Sequence, residues 1–346
     1  MRLTSQRSRH KSRNGKPVIK GTLTKFYHVV PARRWLLTIV FMLSCDSLVA
    51  GTITQGKGPD APSGEVLLNT DFEDATVTPH PDKKLQHKGD VLGIKLPSGQ
   101  PVDVAIFYED GDPSGRFGKV IADPTKNGNH VLHYWLKEAQ VSGERKGRYK
   151  GRIQMILADL QLTEAYQRYR MYLHPDLKLY RSYPGESTWF TINELWFGAS
   201  WKGHSNPFRI TLGIAKEKGV GKPLGFLATG EIKEKGKWKP VWHSFNDKFE
   251  VPIGEWLDIE VGYKQGDKNT GRFYVAVKRT SDAVMTTIVD VHDWTYHPRA
   301  KKPVPMTQWN PLKLYTSSSI IDFIRNHGGA TQIYYDDLTI LKKWPN

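Results

Sequence analysis

Short runs of alternating apolar and polar residues, each ended by Gly, Pro, Asn or Asp, recur along most of this chain and limit what it can fold into. Residues two apart in an extended strand point to the same side, so such a run buries one face and exposes the other. Many short strands with turn residues between them favour a β-sandwich or barrel. No segment shows a sustained apolar period of 3.6 residues, the pattern of an amphipathic helix. The clearest runs are Val66–Phe72, Arg152–Leu157, Tyr166–Leu173, Phe208–Ala215, Trp256–Tyr263, Arg272–Lys278, Pro311–Thr316 and Gln332–Leu341.

The first fifty residues have the layout of a secretory signal. Residues 1–34 are basic and polar, Trp35–Leu43 is a short apolar run, and Ala50-Gly51 offers a cleavage point. The apolar run is too short to span a bilayer stably. We therefore expect a leader over residues 1–50, a Gly/Pro/Ser-rich linker over 51–64 and a single domain over 65–346, in a secreted or periplasmic protein. The residues before Cys45 resemble a lipoprotein cleavage box, which would place a lipid anchor on that cysteine.

Charge and cysteine content exclude several classes of protein. The chain has 50 Lys and Arg against 35 Asp and Glu, but residues 1–50 hold ten of the basic residues and one acidic residue, Asp46. The remainder therefore has a net charge of +6, which suits an anionic polymer and gives no reason to expect nucleic acid as a partner. Cys45 is the single cysteine, so the mature chain has no internal disulfide and no thiolate nucleophile. We expect a monomer without a membrane span.

Several predicted strands combine a basic and aromatic face with an apolar one. The residues that share a polar face are Arg152 with Gln154, Tyr166 with Arg168, Arg170 and Tyr172, Arg272 with Tyr274 and Lys278, and Lys313 with Tyr315 and Ser317. A solvated outer sheet would explain this pattern in any one strand. Because four strands share it, we expect them to line one groove, in which Arg152, Gln154, Arg170, Lys313 and Tyr315 converge.

The order of motifs along the chain points to a known group of proteins. Asn69–Asp74 and Ile333–Ile340 resemble the strands that bracket concanavalin A-like lectin/glucanase jelly rolls. Between them, Tyr169–Leu177 is similar to a strand of the heparin lyase I and glucuronan lyase group of polysaccharide lyases. Arg152-Ile153-Gln154 stands where that group tends to show Arg-x-Glu, Glu194-Leu195-Trp196 where it shows Gln-x-His, and Pro311–Ser317 resembles its Lys-x-Gly-x-Tyr strand. Trp196 departs from the group's His, and Tyr315 falls two residues before its Tyr.

This resemblance implies an all-β, antiparallel jelly-roll sandwich that cleaves an acidic, uronic-acid-containing polysaccharide by β-elimination. A uronate lyase stabilises charge on the sugar carboxylate while a base removes the C5 proton and an acid assists departure of the 4-oxygen. The expected catalytic residues are Lys313, Tyr315, Arg152 and Arg170, and the expected substrate-binding residues are Gln154, Arg168, Tyr172, Glu194, Trp196 and Trp201. The resemblance also implies a structural calcium ion held by Glu73 and Asp337, whose carboxylates are hard oxygen ligands.

Three other classes stay open. A carbohydrate-binding protein of the same fold, without catalysis, needs aromatic platforms and a few hydrogen-bonding groups. The candidate platforms are Trp189, Trp196, Trp201, Trp238 and Trp242. A glycoside hydrolase needs two carboxylates across a groove; Glu186 and Glu194 flank one tryptophan, but no Glu-x-Asp-x-x-Glu pattern accompanies them. A structural or adhesive surface protein is the last class.

Overall fold

The alternating runs form strands in a computed structural model of the chain. It describes residues 64–75, 85–99, 101–108, 115–142, 145–198 and 203–345. Each of the eight runs identified from the sequence lies in or overlaps a strand. The predicted leader, with Cys45, and residues 51–63 of the predicted linker lie outside the described residues. Export and the lipid anchor therefore stay predictions.

Strands dominate the described part of the chain. In order they are β1 (Val66–Thr70), β2 (Leu85–Lys95), β3 (Pro101–Tyr108), β4 (Arg116–Ala122), β5 (His130–Leu136), β6 (Gln140–Ser142), β7 (Arg145–Leu162), β8 (Glu164–Leu173), β9 (Phe190–Phe197), β10 (Phe208–Ala215), β11 (Gly225–Glu234), β12 (Lys237–Asn246), β13 (Trp256–Lys264), β14 (Arg272–Arg279), β15 (Thr286–Val291), β16 (Met306–Asn310), β17 (Lys313–Ser317) and β18 (Thr331–Leu341). The helices are α1 (Lys178–Ser182), which follows a 3-10 turn at Pro175–Leu177, and α2 (Ser318–Asn326). Among the described residues, no helix has the length and apolar character needed to cross a bilayer.

The strands form two antiparallel sheets that pack face to face. Sheet 1 has the order β15-β14-β13-β8-β18-β5-β4, with β1 beside the second half of β18. Sheet 2 has the order β12-β11-β10-β9-β16-β7-β3-β2; β17 also lies between β7 and β9, and β6 pairs with β7. The first and last strands, β1 and β18, are neighbours. The predicted all-β, antiparallel jelly-roll sandwich is confirmed.

The core lies between the sheets and is built from the apolar side of each alternating run. Ile153 of β7 and Tyr169 of β8 come from different sheets, and both are fully buried in the same cluster. Across the core, the rings of Phe197 and Tyr263 lie 4.8 Å apart between centroids. Burying one large apolar side chain contributes roughly 1.5–3 kcal/mol. A slip of one residue in register would expose a whole row of them, so the pattern fixes which side chains reach the surface.

Helix α2 is an element that the sequence analysis did not predict. It buries Ile320, Ile321 and Ile324 and packs against β7. Gly151 of β7 makes room for it, because a Cβ at that position would lie 2.6 Å from Cδ1 of Ile321. The helix has nine residues, about two and a half turns, which is too short to give a sustained 3.6-residue period in the sequence.

A proline divides the strand position between β7 and β9 into β16 and β17. Pro311 has no N–H to donate and interrupts the hydrogen-bond ladder. Buried amides bind its carbonyl oxygen instead: Nδ2 of Asn193 and Nε2 of Gln167 each donate to it at 3.0 Å. Asn193 also donates to Oε1 of Gln167 at 2.7 Å, which links β9 of sheet 2 to β8 of sheet 1. This buried polar contact fixes where the chain re-enters the sheet, two residues before Lys313.

Candidate functional site

Charged and aromatic side chains gather on the outer face of sheet 2, where β7, β17, β9 and β10 lie side by side. In the ladder Lys313 lies opposite Gln154, and Tyr315 lies opposite Arg152. Leu314 between them is buried in the core, so these side chains point away from it. Strands β9 and β10 add one acidic and one basic residue. The sheet 2 cluster consists of Arg152, Gln154, Glu194, Arg209, Lys313 and Tyr315.

A buried ion pair forms the floor of this cluster. The ammonium of Lys313 pairs with Oε2 of Glu194, and Nη1 of Arg209 donates to Oε1 of the same carboxylate at 3.1 Å. Lys313 is fully buried and Glu194 is 2% exposed. Burial acts to raise the pKa of Glu194, but Lys313 and Arg209 outweigh it and lower the pKa, so the carboxylate is ionised. Burial lowers the pKa of Lys313 to about 8, against the opposing effect of Glu194.

Tyr315 is the one tyrosine of the sheet 2 cluster, and its side chain is surrounded by cations. Its ring centroid lies 4.9 Å from Nζ of Lys313, 5.4 Å from the guanidinium carbon of Arg152 and 5.7 Å from Nζ of Lys150. Burial raises the pKa of Tyr315 to about 12, and Arg152 opposes that rise. Unlike Lys313, Tyr315 is only partly buried. Three cations therefore surround one accessible phenol.

Aromatic rings border the cluster. Trp189 lies edge-on against the cluster's tyrosine at 4.9 Å, and Tyr149, 37% exposed, lies 5.8 Å from Trp189. Trp196 and Trp238 meet edge to face at 5.3 Å, and the guanidinium carbon of Arg209 lies 4.1 Å from the ring centroid of Trp238. Partly exposed aromatic rings beside hydrogen-bonding groups suit the apolar faces of sugar rings.

The structure brings together six residues that the sequence analysis placed in the site: Arg152, Gln154, Glu194, Trp196, Lys313 and Tyr315. Gln154 is 3% exposed, and its Oε1 has no hydrogen-bond partner among the described residues. Buried acceptors are nearly always satisfied in folded proteins. In this structure the Oε1 of Gln154 is an exception to that rule.

The prediction that Arg170 converges with this cluster is wrong, and Arg168 and Tyr172 lie on the same other sheet. Their strand, β8, pairs with β13 and β18 in sheet 1, where Arg170 lies opposite Asp258 and Asp336. Strand β14, whose polar face includes Arg272 and Lys278, also belongs to sheet 1. The four strands thus divide between the two outer faces and do not line one groove, because alternation gives the side of a strand but not its sheet.

Of the expected aromatic platforms, one lies in the core and another lies outside the described residues. Trp201 lies outside the described residues, so its part in binding stays a prediction. Trp242 belongs to the core: it is 7% exposed, its ring lies 6.0 Å from that of Phe273, and its Nε1 donates to the carbonyl oxygen of Trp294 at 2.7 Å.

Arg209 and Glu231 are site residues that the sequence analysis did not single out. Nε of Arg209 donates to Oε2 of Glu231 at 2.7 Å, so the guanidinium bridges the carboxylates of β9 and β11. The signal was present in the sequence. In β10, Arg209 alternates with the buried Phe208 and Ile210, which is the pattern that identified Arg152.

The carboxylates predicted to hold calcium are engaged separately. Glu73 accepts hydrogen bonds at 2.8 Å from the backbone N–H and from Nδ1 of His130. The carboxylate of Asp337 lies 3.6 Å from Nη1 of Arg170. Among the described residues, no group of three or more His, Cys, Asp or Glu side chains is placed to hold a metal ion. Each carboxylate thus has its own partner, and the calcium site stays a prediction.

The calcium prediction has a direct test. If an ion is bound, exhaustive chelation lowers the Tm and added calcium restores it, because a ligand that binds only the native state stabilises it by mass action. Glu73→Gln should then remove the calcium-dependent part of the Tm, whereas Asp71→Asn in the same turn should keep it. An unchanged Tm in protein shown to be metal-free contradicts the site.

Comparison with known proteins shows a distant likeness to solved structures. No family model and no curated protein matches the chain. The endo-β-1,4-glucuronan lyase of Trichoderma reesei shares 12% identity over 75% of this chain and 95% of its own, with a TM-score of 0.44. An alginate lyase, Aly36B, in complex with an alginate tetrasaccharide shares 14% identity over 68% and 85%, with a TM-score of 0.40. An alginate lyase of Aplysia kurodai shares 8% identity over 68% and 89%, with a TM-score of 0.41. Such values give no residue correspondence, so any role for the cluster rests on its geometry.

Proposed function

We propose that this protein cleaves an acidic, uronic-acid-containing polysaccharide by β-elimination on the outer face of sheet 2, with Tyr315 as the proton-transfer group. The observation that carries the proposal is the position of that phenol among Arg152, Lys150 and Lys313, each within 5.7 Å of its ring centroid. Cations around a phenol favour the phenolate, and cations around a sugar carboxylate favour the charge that develops on it.

The proposed reaction needs few groups. The phenolate of Tyr315 takes the proton from C5 of the uronate, the electron pair forms the C4–C5 double bond, and the bond from C4 to the glycosidic oxygen breaks. The leaving oxygen then takes a proton back from the phenol. In this proposal Arg152 holds the sugar carboxylate, because a guanidinium can bind both of its oxygens at once.

The ion pair beneath Tyr315 has a supporting part in this proposal. Lys313 is fully buried and is held by Glu194, so it contributes a fixed charge and does not transfer protons to a sugar. Arg209 secures the other oxygen of the same carboxylate. Hydrolysis has less support, because an ionised Glu194 held by two cations is poorly suited to donate a proton to a glycosidic oxygen.

A non-catalytic carbohydrate-binding protein of the same fold is the second candidate. It is favoured by the pKa of about 12 for Tyr315, since a phenol with that value is almost wholly protonated at neutral pH. Trp196, the next residue after Glu194 on the outer face of β9, has no group that could transfer a proton in place of Tyr315. Binding would then use the aromatic rings and the cations of the cluster without turnover.

A panel of defined polymers separates these candidates. The purified chain is incubated with polyglucuronate, polymannuronate and polygalacturonate, and with dextran as the neutral control, while the ultraviolet absorbance of the unsaturated product is followed. We expect product from at least one uronate polymer and none from dextran. Saturable binding of a uronate polymer without any product would contradict the lyase and support the binding protein.

A further inference from the structure

A cleft of about 390 Å³ opens on the outer face of sheet 1, on the side of the sandwich opposite the sheet 2 cluster. This volume lies within the roughly 300–1,000 Å³ of small-ligand sites. Strands β8, β13 and β14 meet there with the chain segment that follows β18. The lining residues include Glu164, Lys264, Thr270, Arg272, His292 and Trp344. Arg272 lies on a strand face that the sequence analysis expected to line the groove, and the other five were not singled out there.

Trp344 lies on the outer surface of sheet 1 and not in the core. Its ring packs against Gly262 of β13, where a Cβ would lie 2.6 Å from two carbon atoms of the indole, so a larger residue would displace it. The backbone N–H of Trp344 donates to Oε1 of Glu164 at 3.1 Å. The ring is partly exposed, and it therefore presents an anchored aromatic surface to the cleft.

Two of the polar groups of the cleft, Arg272 and His292, are also held in place. Arg272 donates from Nε and Nη2 to the two carboxylate oxygens of Asp290, at 2.7 and 2.9 Å, and its guanidinium carbon lies 4.8 Å from the ring centroid of Trp344. Nε2 of His292 lies 3.4 Å from the same carboxylate. Lys264, beside Arg272 in the ladder, is exposed. Groups fixed before binding lose little conformational freedom when a ligand arrives.

An anchored indole next to cationic and hydroxyl donors is suited to an acidic sugar. The ring packs against the apolar face of the pyranose, and an ammonium or guanidinium group binds its carboxylate. We propose that this cleft is a second, non-catalytic binding site for a short stretch of acidic polysaccharide, with Trp344 as the platform and Lys264 as a carboxylate-binding group. The choice of an acidic glycan rests on the proposed function, whereas the geometry of the cleft is independent of it.

A second site would raise the apparent affinity for long polysaccharide chains and not for short ones. A polymer long enough to contact both outer faces binds through two linked contacts, and the second contact raises the apparent affinity without changing the first. An oligosaccharide that fills only the sheet 2 cluster gains nothing from the cleft. The two sites therefore predict different dependence on chain length.

The test compares the full-length protein with three variants, Trp344→Ala, Lys264→Glu and, as a control of equal charge change outside the cleft, Lys248→Glu. The Kd for long polyglucuronate is measured by titration calorimetry, together with the Kd for a short oligoglucuronate and the Tm. We expect Trp344→Ala and Lys264→Glu each to raise the polymer Kd about tenfold, since anchoring residues of a binding site contribute on this scale. Lys248→Glu should leave it unchanged, and all three should keep the Kd with which the oligosaccharide binds the sheet 2 cluster.

Two outcomes overturn the proposal. Wild-type polymer affinity in both cleft variants means that nothing binds there. A loss confined to Trp344→Ala and accompanied by a lower Tm, with Lys264→Glu unaffected, means that the indole only anchors the end of the chain. Failure of the lyase proposal would look different, because the cleft variants would still lose polymer affinity while no uronate polymer gives unsaturated product.

Discussion

Replacing Tyr315 with phenylalanine is expected to reduce β-elimination by at least about 100-fold while polymer affinity stays nearly the same. Positioned proton transfer contributes roughly 10²–10⁴-fold to a rate, and this substitution removes only the hydroxyl. The ring, with its contacts to Trp189 and Arg152, is retained. The measurements are kcat and KM on the best uronate polymer, with binding followed separately. Tyr149→Phe, on a neighbouring ring that borders the cluster, is the matched control and should keep turnover.

The pH profile of the same reaction gives a readout that a structural role for Tyr315 would not produce. In the folded protein the pKa of the Tyr315 phenol is about 12. Below that value the phenolate fraction rises tenfold with each pH unit. The rate should therefore increase with pH at neutrality. The increase should weaken above about pH 8, where Lys313 loses its proton and a cation next to the phenol is lost. A rate that is flat from pH 6 to pH 9 would contradict Tyr315 as the base.

Replacing Lys313 with methionine is expected to lower the free energy of unfolding by about 3–5 kcal/mol, the usual cost of leaving one charge of a buried ion pair without its partner. Of its two cations Glu194 would keep only Arg209, and it would remain in a site that is 2% exposed. Urea unfolding measures the loss. Lys239→Met is the matched control, because that lysine pairs with Glu234 at the surface, where solvent screens the pair, and its loss should change little.

A double substitution distinguishes the ion pair from simple packing. Lys313→Met combined with Glu194→Gln removes both charges, so it should recover much of the stability that the single Lys313→Met variant loses. If the two substitutions add without recovery, the ammonium acts by filling space. Both variants would also show whether the fixed charge beneath Tyr315 is needed for turnover.

The strands were predictable from the sequence because each carries its own signal. Alternation placed Arg152 and Gln154 together on an outer face, and it did the same for Lys313 and Tyr315; the structure agrees at both places. The sheet to which a strand belongs is a different matter, because it depends on partners that lie far away in the chain. Residue 313 pairs with residue 154, while Arg170, only 16 residues from Gln154, lies on the other sheet.

Some residues of the site were missed for the same reason: their partners lie far away in the chain. Arg209 showed the correct alternation, but its importance depends on Glu194 and Glu231, which reach it from neighbouring strands. The break at Pro311 was readable as a loss of one backbone donor. The amides of Asn193 and Gln167 that donate to the carbonyl oxygen of Pro311 come from two other strands, and no local pattern reveals them.

The position of the late strands within the sheets has a consequence for how the protein is made. Strands β16 and β17 fill the gap between β7 and β9, and β18 separates β8 from β5, so residues 306–341 complete the middle of both sheets. Until these residues leave the ribosome, β7, β8 and β9 have unpaired edges that can associate with other chains. Pairing over such long sequence separations is also slow. The cluster around Tyr315 thus assembles only when nearly the whole domain has been synthesised. A chain stopped before residue 306 would lack both sites and would have unpaired strand edges in the middle of both sheets.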